Sequence, residues 1–366
     1  MIENSAGPAD SQKGSVLIIV LWISVLLTVL VTAMAGKVRL SAQTVGHNQF
    51  VSTHWASVMG TVHQAEMELM LEMMAPPIDL DVELTKEGEA RNPRYRFNGQ
   101  PLALHYPQSD EMVVRIYDHA GKINLNRIPR RNMQMLIEKR LGGLDADPEQ
   151  VQDLLSAWTD WTDLNSLEGL NGAEENYYQS LEFGYSPRNN PELDTVEEIL
   201  HVRGFAKLLE GVNIEAAFTI YGNNRTVNLN LATREAMELL PGLDEELIEN
   251  ILAFREFEDI NNRAEIAEVV PFENLQELSA WIGTNTSQIY SVYVYPRAIL
   301  SESKQLALED TQEFSNPDPV TQAYMEVVEA RAYNAMPRVY KVDPYGYLPD
   351  TTPPRVLPED YLFDFQ

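Results

Sequence analysis

The chain has 366 residues, 27 of them basic against 55 acidic, no cysteine, and a formal net charge of -28. Such a surface repels nucleic acid and anionic lipid headgroups and favours divalent cations and basic partners. The 44% apolar content and sixteen tyrosines argue against wholesale disorder. Without cysteine, loops outside the cytoplasm need a fastener other than disulfides, and bound metal is one candidate.

Ser15 to Gly36 carry no charge and follow directly on Lys13-Gly14. About 20 apolar residues can cross a bilayer as a helix. A secretory signal peptide fits less well: Ala33-Met34-Ala35 offers a small-x-small cut, but the stretch exceeds an ordinary h-region and the leader carries Glu3 and Asp10 against Lys13. Lys37 and Arg39 follow the span, so the positive-inside bias does not place the leader in the cytoplasm.

Past the span, Val51, Trp55, Val58, Val62, Ala65, Leu69 and Met73 recur at steps of three and four, one face of a helix. Pro76-Pro77 ends it. The spacing therefore predicts one helix from Ser15 to near Met74, half in lipid and half amphipathic, or an anchor followed by a separate surface helix. Arg94 to Phe97 and Pro101 to Tyr106 flank Asn98-Gly99, which predicts a hairpin turn. Met112 to Asp118 alternates as a third strand. Arg127 to about Gly283 reads as helical, and strand character returns in Gln288 to Leu300, Gln322 to Tyr333 and Arg338 to Val342. The segment from Asp343 onward, rich in Pro, Asp and Tyr, predicts an irregular tail. A helical block between two sets of strands is an insertion.

That block echoes itself. Lys122-Ile123-Asn124-Leu125-Asn126 returns 104 residues later as Thr226-Val227-Asn228-Leu229-Asn230. The second copy leads to Leu239-Leu240-Pro241-Gly242-Leu243 and a following helix, a unit similar to the helix-hairpin-helix of DNA-binding proteins. Such hairpins aim backbone N–H groups at phosphate with help from Lys or Arg. Here Asp244-Glu245-Glu246 follow the hairpin, so repulsion opposes DNA, and Asp244 reads as a helix cap.

Catalytic signatures are missing. The histidines at 47, 54, 63, 105, 119 and 201 show no zinc spacing, and no phosphate loop, nucleophile elbow or cysteine nucleophile occurs. Between Leu144 and Leu200 there are fourteen acidic residues and one basic residue, Arg188. Asp160, Asp163, Asn165, Glu168 and Glu174 share a turn-prone loop with Gly169 and Gly172, the oxygen-rich setting that calcium takes, though not in EF-hand order. A solvated acidic loop is the plainer alternative.

The Lys-Gly boundary resembles the processing site of type IV prepilins and type II secretion pseudopilins, and a long helix packed on a sheet is the pilin-like arrangement. The whole order of segments resembles the K-class minor pseudopilins of type II secretion. The matching residues are Val114-Arg115-Ile116, Gly121-Lys122-Ile123-Asn124-Leu125-Asn126, Asp160-Trp161-Thr162-Asp163, Gly172-Ala173-Glu174, Tyr177-Tyr178, Pro187-Arg188-Asn189 and Val202-Arg203-Gly204-Phe205, over about residues 13 to 345.

The resemblance implies an α+β fold: a pilin-like long N-terminal helix on a β-sheet, with a large inserted all-α domain containing helix-hairpin-helix-like units. The implied division is a leader at 1–14, the pilin helix at 15–74, the first part of the β domain at 75–121, the α domain at 122–285, the second β part at 286–343 and a tail at 344–366. It further implies cleavage by prepilin peptidase between Gly14 and Ser15, methylation of the new amine, and a single-pass inner-membrane protein with its bulk in the periplasm. The implied partners are the I and J minor pseudopilins and other secretion components, with no nucleic acid and no enzymatic role. Calcium in the helical domain is implied too, with the five loop residues above as its candidate ligands. Most pilin-like chains carry Glu at the fifth mature position; here that position is Ile19, which in the K class goes with a place at the filament tip. Ser15 departs from the Phe common at the first mature position. The competing class is a membrane-anchored binding protein that does not assemble.

Overall fold

The computed structural model describes residues 13–74, 97–102, 104, 111–181, 183–187, 189–297 and 322–349. The chain forms two units, residues 1–59 and 60–366. A single helix, α1 (Lys13–Glu72), begins in the first and ends in the second, so the one-helix alternative holds over a separate surface helix.

In the first unit the α1 residues from Leu17 to Leu40 are exposed, with the length and apolarity of a membrane span. Hydroxyls along it are satisfied within the helix. Those of Ser24, Thr28 and Thr32 each donate at 2.8 Å to a carbonyl three or four residues back. A lipid environment requires this, because no water is there to take those bonds. Val51 and Trp55, expected on the packed face, are about half exposed.

In the second unit the last turns of α1 bury Val62, Ala65 and Leu69. Thr61, Glu66 and Glu68 are buried there as well. The helix closes in a turn at Met73-Met74; Pro76-Pro77 lie outside the described residues.

The strands β1 (Asn98–Pro101) and β2 (Met112–Asp118) come next. Asn98-Gly99 does not turn a hairpin between two flanking strands. It lies within β1, which pairs antiparallel with β2 with a register shift between Asn98 and Pro101. Gly99 has φ +86°, and a Cβ there would collide with the Tyr117 ring. The Asn-Gly signal marks left-handed backbone, and a bulge uses that conformation as readily as a turn does. Arg94 to Arg96, Ala103, His105 and Tyr106 lie outside the described residues.

Then follows the helical block. It opens with β3 (Ile123–Asn124), α2 (Arg130–Arg140), α3 (Pro148–Thr162), α4 (Glu175–Gln179), α5 (Phe205–Leu208) and α6 (Ile214–Ala217). It continues with β4 (Phe218–Thr219), β5 (Val227–Asn228), α7 (Arg234–Leu239), α8 (Glu245–Phe257), α9 (Arg263–Val269), α10 (Phe272–Leu278) and β6 (Ile282–Gly283). Several of these helices start at side-chain caps. Asp147 precedes Pro148 at the first turn of α3, and Thr233, Asp244 and Asn262 accept from backbone N–H groups of α7, α8 and α9. To the expected helices the structure adds two short parallel ladders, β3 with β4 and β5 with β6. One apolar core runs through the block, including Trp158, Trp161, Tyr178, Phe205 and Trp281.

The chain returns to the sheet as β7 (Ile289–Pro296), β8 (Gln322–Glu329) and β9 (Arg338–Tyr347). The strand order is β1-β2-β7-β8-β9, and every neighbouring pair is antiparallel. β2 and β7 are in register from Met112↔Pro296 to Asp118↔Tyr290. The whole helical block therefore stands where a hairpin loop would join two adjacent strands. The expected irregular tail starts later than Asp343, because β9 continues to Tyr347 and Asn213 donates to the Pro349 carbonyl at 2.6 Å. Residues 350–366 lie outside the described residues.

Candidate functional site: the acidic loop of the helical insertion

The two Asn-Leu-Asn copies are one device used twice. In the first, Asn124 donates to the carbonyls of Tyr221 and Gly222, just past β4, and its Oδ1 accepts from Asn126 N–H at 3.0 Å. Asn126 then bonds Leu193 N–H at 2.7 Å and the carbonyls of Leu193 and Ile220. In the second, Asn228 donates to Thr284 and Asn285 just past β6 and accepts from Asn230 N–H at 3.0 Å. Asn230 bonds both the N–H and the carbonyl of Ile260, at 2.9 Å each. Asparagine suits this place because its amide carries a donor and an acceptor side by side, matching a backbone peptide. The copies thereby satisfy buried loop backbone that no helix or strand could.

The helical block meets the sheet through His119. Its Nδ1 lies 2.7 Å from Thr219 Oγ1 on β4 and its Nε2 2.8 Å from Ser291 Oγ on β7. Burial holds its pKa well below the usual range. The neighbouring Asp118 accepts from Ala120 and Ser287 N–H groups, and burial pushes its pKa up to about 6. Sequence reasoning passed over this cluster, since its members lie 100 and 172 residues apart. The Ser–His contact has a neutral threonine where a catalytic carboxylate would stand, so it serves as a pin between sheet and block.

The acidic loop folds around Asp160. This residue, 4% exposed at the end of α3, accepts from the N–H groups of Gly169 and Ala173, both at 3.0 Å on Oδ2. Gly172 approaches so closely that a Cβ there would overlap the same oxygen. Asp163 Oδ1 accepts from Asn165 N–H at 3.0 Å and Asn165 Oδ1 from Leu167 N–H at 2.8 Å, two successive Asx turns. Arg203 donates to the carbonyls of Gly172 and Asn171 and lies over the Tyr177 ring. Tyr178 accepts from Arg203 N–H and meets Trp161 edge-on at 5.0 Å. Asn189 donates to the Asn165 carbonyl at 3.0 Å. Motifs dispersed from Asp160 to Arg203 thus converge on one loop; Arg188 lies outside the described residues.

Glu174 stands apart. It is 3% exposed, and neither of its carboxylate oxygens has a hydrogen-bond partner. Burial, and then the charges of Asp160 and Asp163, hold its pKa above the usual range against the opposing pull of the Glu175 N–H. Asp163 and Asn165 spend their oxygens on the Asx turns, and among the described residues no three acidic or histidine side chains form a finished metal cage. The residues that fit a cation best are Asp160 and Glu174, one organised and one orphaned.

The Pro241-Gly242 hairpin faces elsewhere. Gly242 packs against Asn274 of α10, where a Cβ would lie 2.6 Å from the Asn274 carbonyl, and Asn274 donates to the Gly242 carbonyl. Lys139 is turned onto the carbonyls of Leu240 and Leu243. Asp244 caps α8 through Leu247 N–H at 2.9 Å. The hairpin is built as a packing unit.

Residues 121–209, which hold the first Asn-Leu-Asn copy and the whole acidic loop, match the family model described as type II secretion system (T2SS), protein K. Through this segment the chain is similar to the T2SS protein K family. No curated protein matches the chain. Among solved structures it is similar to a chain of the GspK-GspI-GspJ complex of enterotoxigenic Escherichia coli, at 12% identity and TM-score 0.48, covering 82% of this chain and 98% of that one. Gly14 and Ser15 lie in the first turn of α1. Ile19 follows one turn later and is exposed.

Proposed function

We propose that the chain is a minor pseudopilin that caps the type II secretion pseudopilus. One observation supports this best. A block of about 170 residues, whose first half matches the protein K family model, replaces the loop between the adjacent strands β2 and β7, in a unit where the end of α1 is buried against the rest of the fold. A block of that bulk projecting from one end of two central strands would clash with helical stacking in a filament body, whereas a tip has room for it. Ile19 agrees, because an apolar side chain cannot pair with the terminal amine of a subunit next to it.

On this reading prepilin peptidase cuts between Gly14 and Ser15 and the new amine is methylated. The uncharged half of α1 holds the chain in the inner membrane, with the bulk in the periplasm. The I and J minor pseudopilins pack beside α1, and the helical block faces exported protein or the outer-membrane channel. Asp160 and Glu174, with Asp163, Asn165 and Glu168 around them, hold a structural calcium ion. The cation would neutralise the repulsion felt by Glu174 and fill its empty coordination, which tightens the loop.

Replacement of Gly14 by Ala tests the assembly claim. The expected result is a precursor that keeps its leader and fails to co-purify with tagged I and J partners. N-terminal sequencing of membrane-extracted wild type should then begin at Ser15. A wild type that begins at Met1, or a variant of unchanged mature size, would instead support an anchored protein that does not assemble.

A further inference from the structure

Three leucines stand on the acidic loop with their side chains in water: Leu164 and Leu167 are 78% exposed and Leu170 86%. A loop that only bridged two helices would gain nothing from apolar residues at every third position. Nor is the loop slack. It is tied at Asp160 by two backbone bonds, at Asp163 and Asn165 by Asx turns, at Asn165 by Asn189, and at Asn171 and Gly172 by Arg203. Asn171 adopts φ 58°, a left-handed conformation held by those two arginine bonds. Apolar side chains displayed on a fixed backbone lose little freedom on docking, which is the arrangement expected of a recognition surface.

The surrounding charge selects the occupant. From Leu144 to Leu200 the chain carries fourteen acidic residues and one basic one, with Asp163 beside the first leucine and Glu168 between the second and third. A second copy would bring the same acidic rim against this one, and an anionic lipid surface would meet the same repulsion. We infer that Leu164, Leu167 and Leu170 form a docking surface for a partner protein whose apolar pocket is rimmed by lysine or arginine. The leucines fill the pocket, and the acidic rim steers and orients the approach. This surface does not depend on the pseudopilin proposal, since an unassembled anchored protein could use it equally.

The test uses the full chain in its own cells, with the photo-crosslinking residue p-benzoylphenylalanine at Leu167 and, as a control, at Phe257, which is 88% exposed on α8. The expected result is a discrete protein adduct from position 167 and none of that size from 257. Mass spectrometry should place the cross-link in an apolar segment flanked by Lys or Arg. Leu164→Ser with Leu170→Ser should lower the adduct yield at least fivefold, with thermal unfolding of the chain unchanged because both positions are solvent-exposed. Adducts only to lipid or to a second copy overturn the inference. So do an acidic partner site, an equal adduct from 257, the absence of any adduct, or a yield indifferent to the serines.

Discussion

Replacing Glu326 by Gln removes a carboxyl group that the fold holds under tension. Glu326 is 3% exposed on β8, and its Oε1 has no hydrogen-bond partner. Burial first, and then the charge of Glu66 on α1, push its pKa up from 4.5 to about 7, while His63 and the Tyr324 hydroxyl pull in the other direction. His63 lies 2.8 Å from Glu66 on the solvent side of the same helix. A folded-state pKa above the unfolded one means that the fold prefers the protonated acid. Its stability contribution is intact below about pH 4.5 and is lost as pH rises to about 7. A shift of that size corresponds to a ceiling of about 3 kcal/mol, which solvent reaching the His63 side cuts to about 1–2 kcal/mol. The variant should therefore unfold about 2–6 °C higher than wild type at pH 8, for a domain of this size. The two proteins should nearly coincide at pH 4. Melting of the detergent-solubilised full chain from pH 4 to 8.5 measures the difference. A difference that stays flat across that range, or a variant less stable throughout, would refute a strained carboxyl pair between α1 and the sheet.

Two further outcomes follow from the helical block. Asn230→Ala leaves both the N–H and the carbonyl of the buried Ile260 without the asparagine that bonds them. Chemical denaturation should show a loss of about 2–4 kcal/mol, and Asn230→Asp should recover only part of it, because a carboxylate cannot donate to the carbonyl. Calcium should raise the melting temperature of the full chain and a chelator should reverse the rise. Glu174→Gln should abolish most of that response, while Glu175→Gln, on an exposed neighbour, should leave it intact. Because the Glu174 pKa is raised, protons compete with the cation and the calcium effect should weaken as pH falls. Identical melting with and without chelator at pH 8 removes the metal.

The sequence by itself determined whatever depends on residues close together along the chain. The uncharged run from Ser15, the steps of three and four that include Val62, Ala65 and Leu69, and the cap Asp244 are each read within a few residues. The structure repeats them as one helix and one capped helix start. The repeated Asn-Leu-Asn was also legible as a pattern, although not its chemistry, because the bonded partners Leu193 and Ile260 leave no mark of their own. Local signals misled where two backbone structures share one requirement. Asn98-Gly99 promised left-handed backbone, and only the pairing of β1 with β2 decided that a bulge, not a hairpin, would use it.

Tertiary structure alone decided the rest. It brought Arg203 over the acidic loop, set His119 between Thr219 and Ser291, and faced Glu326 with Glu66 from the far end of the sequence. The physical reason is that burial and charge act through space. Periodicity records which side of a helix or strand is apolar, but the desolvation of a carboxylate depends on which distant segment covers it, and that is fixed only when the sheet and the helical block have packed.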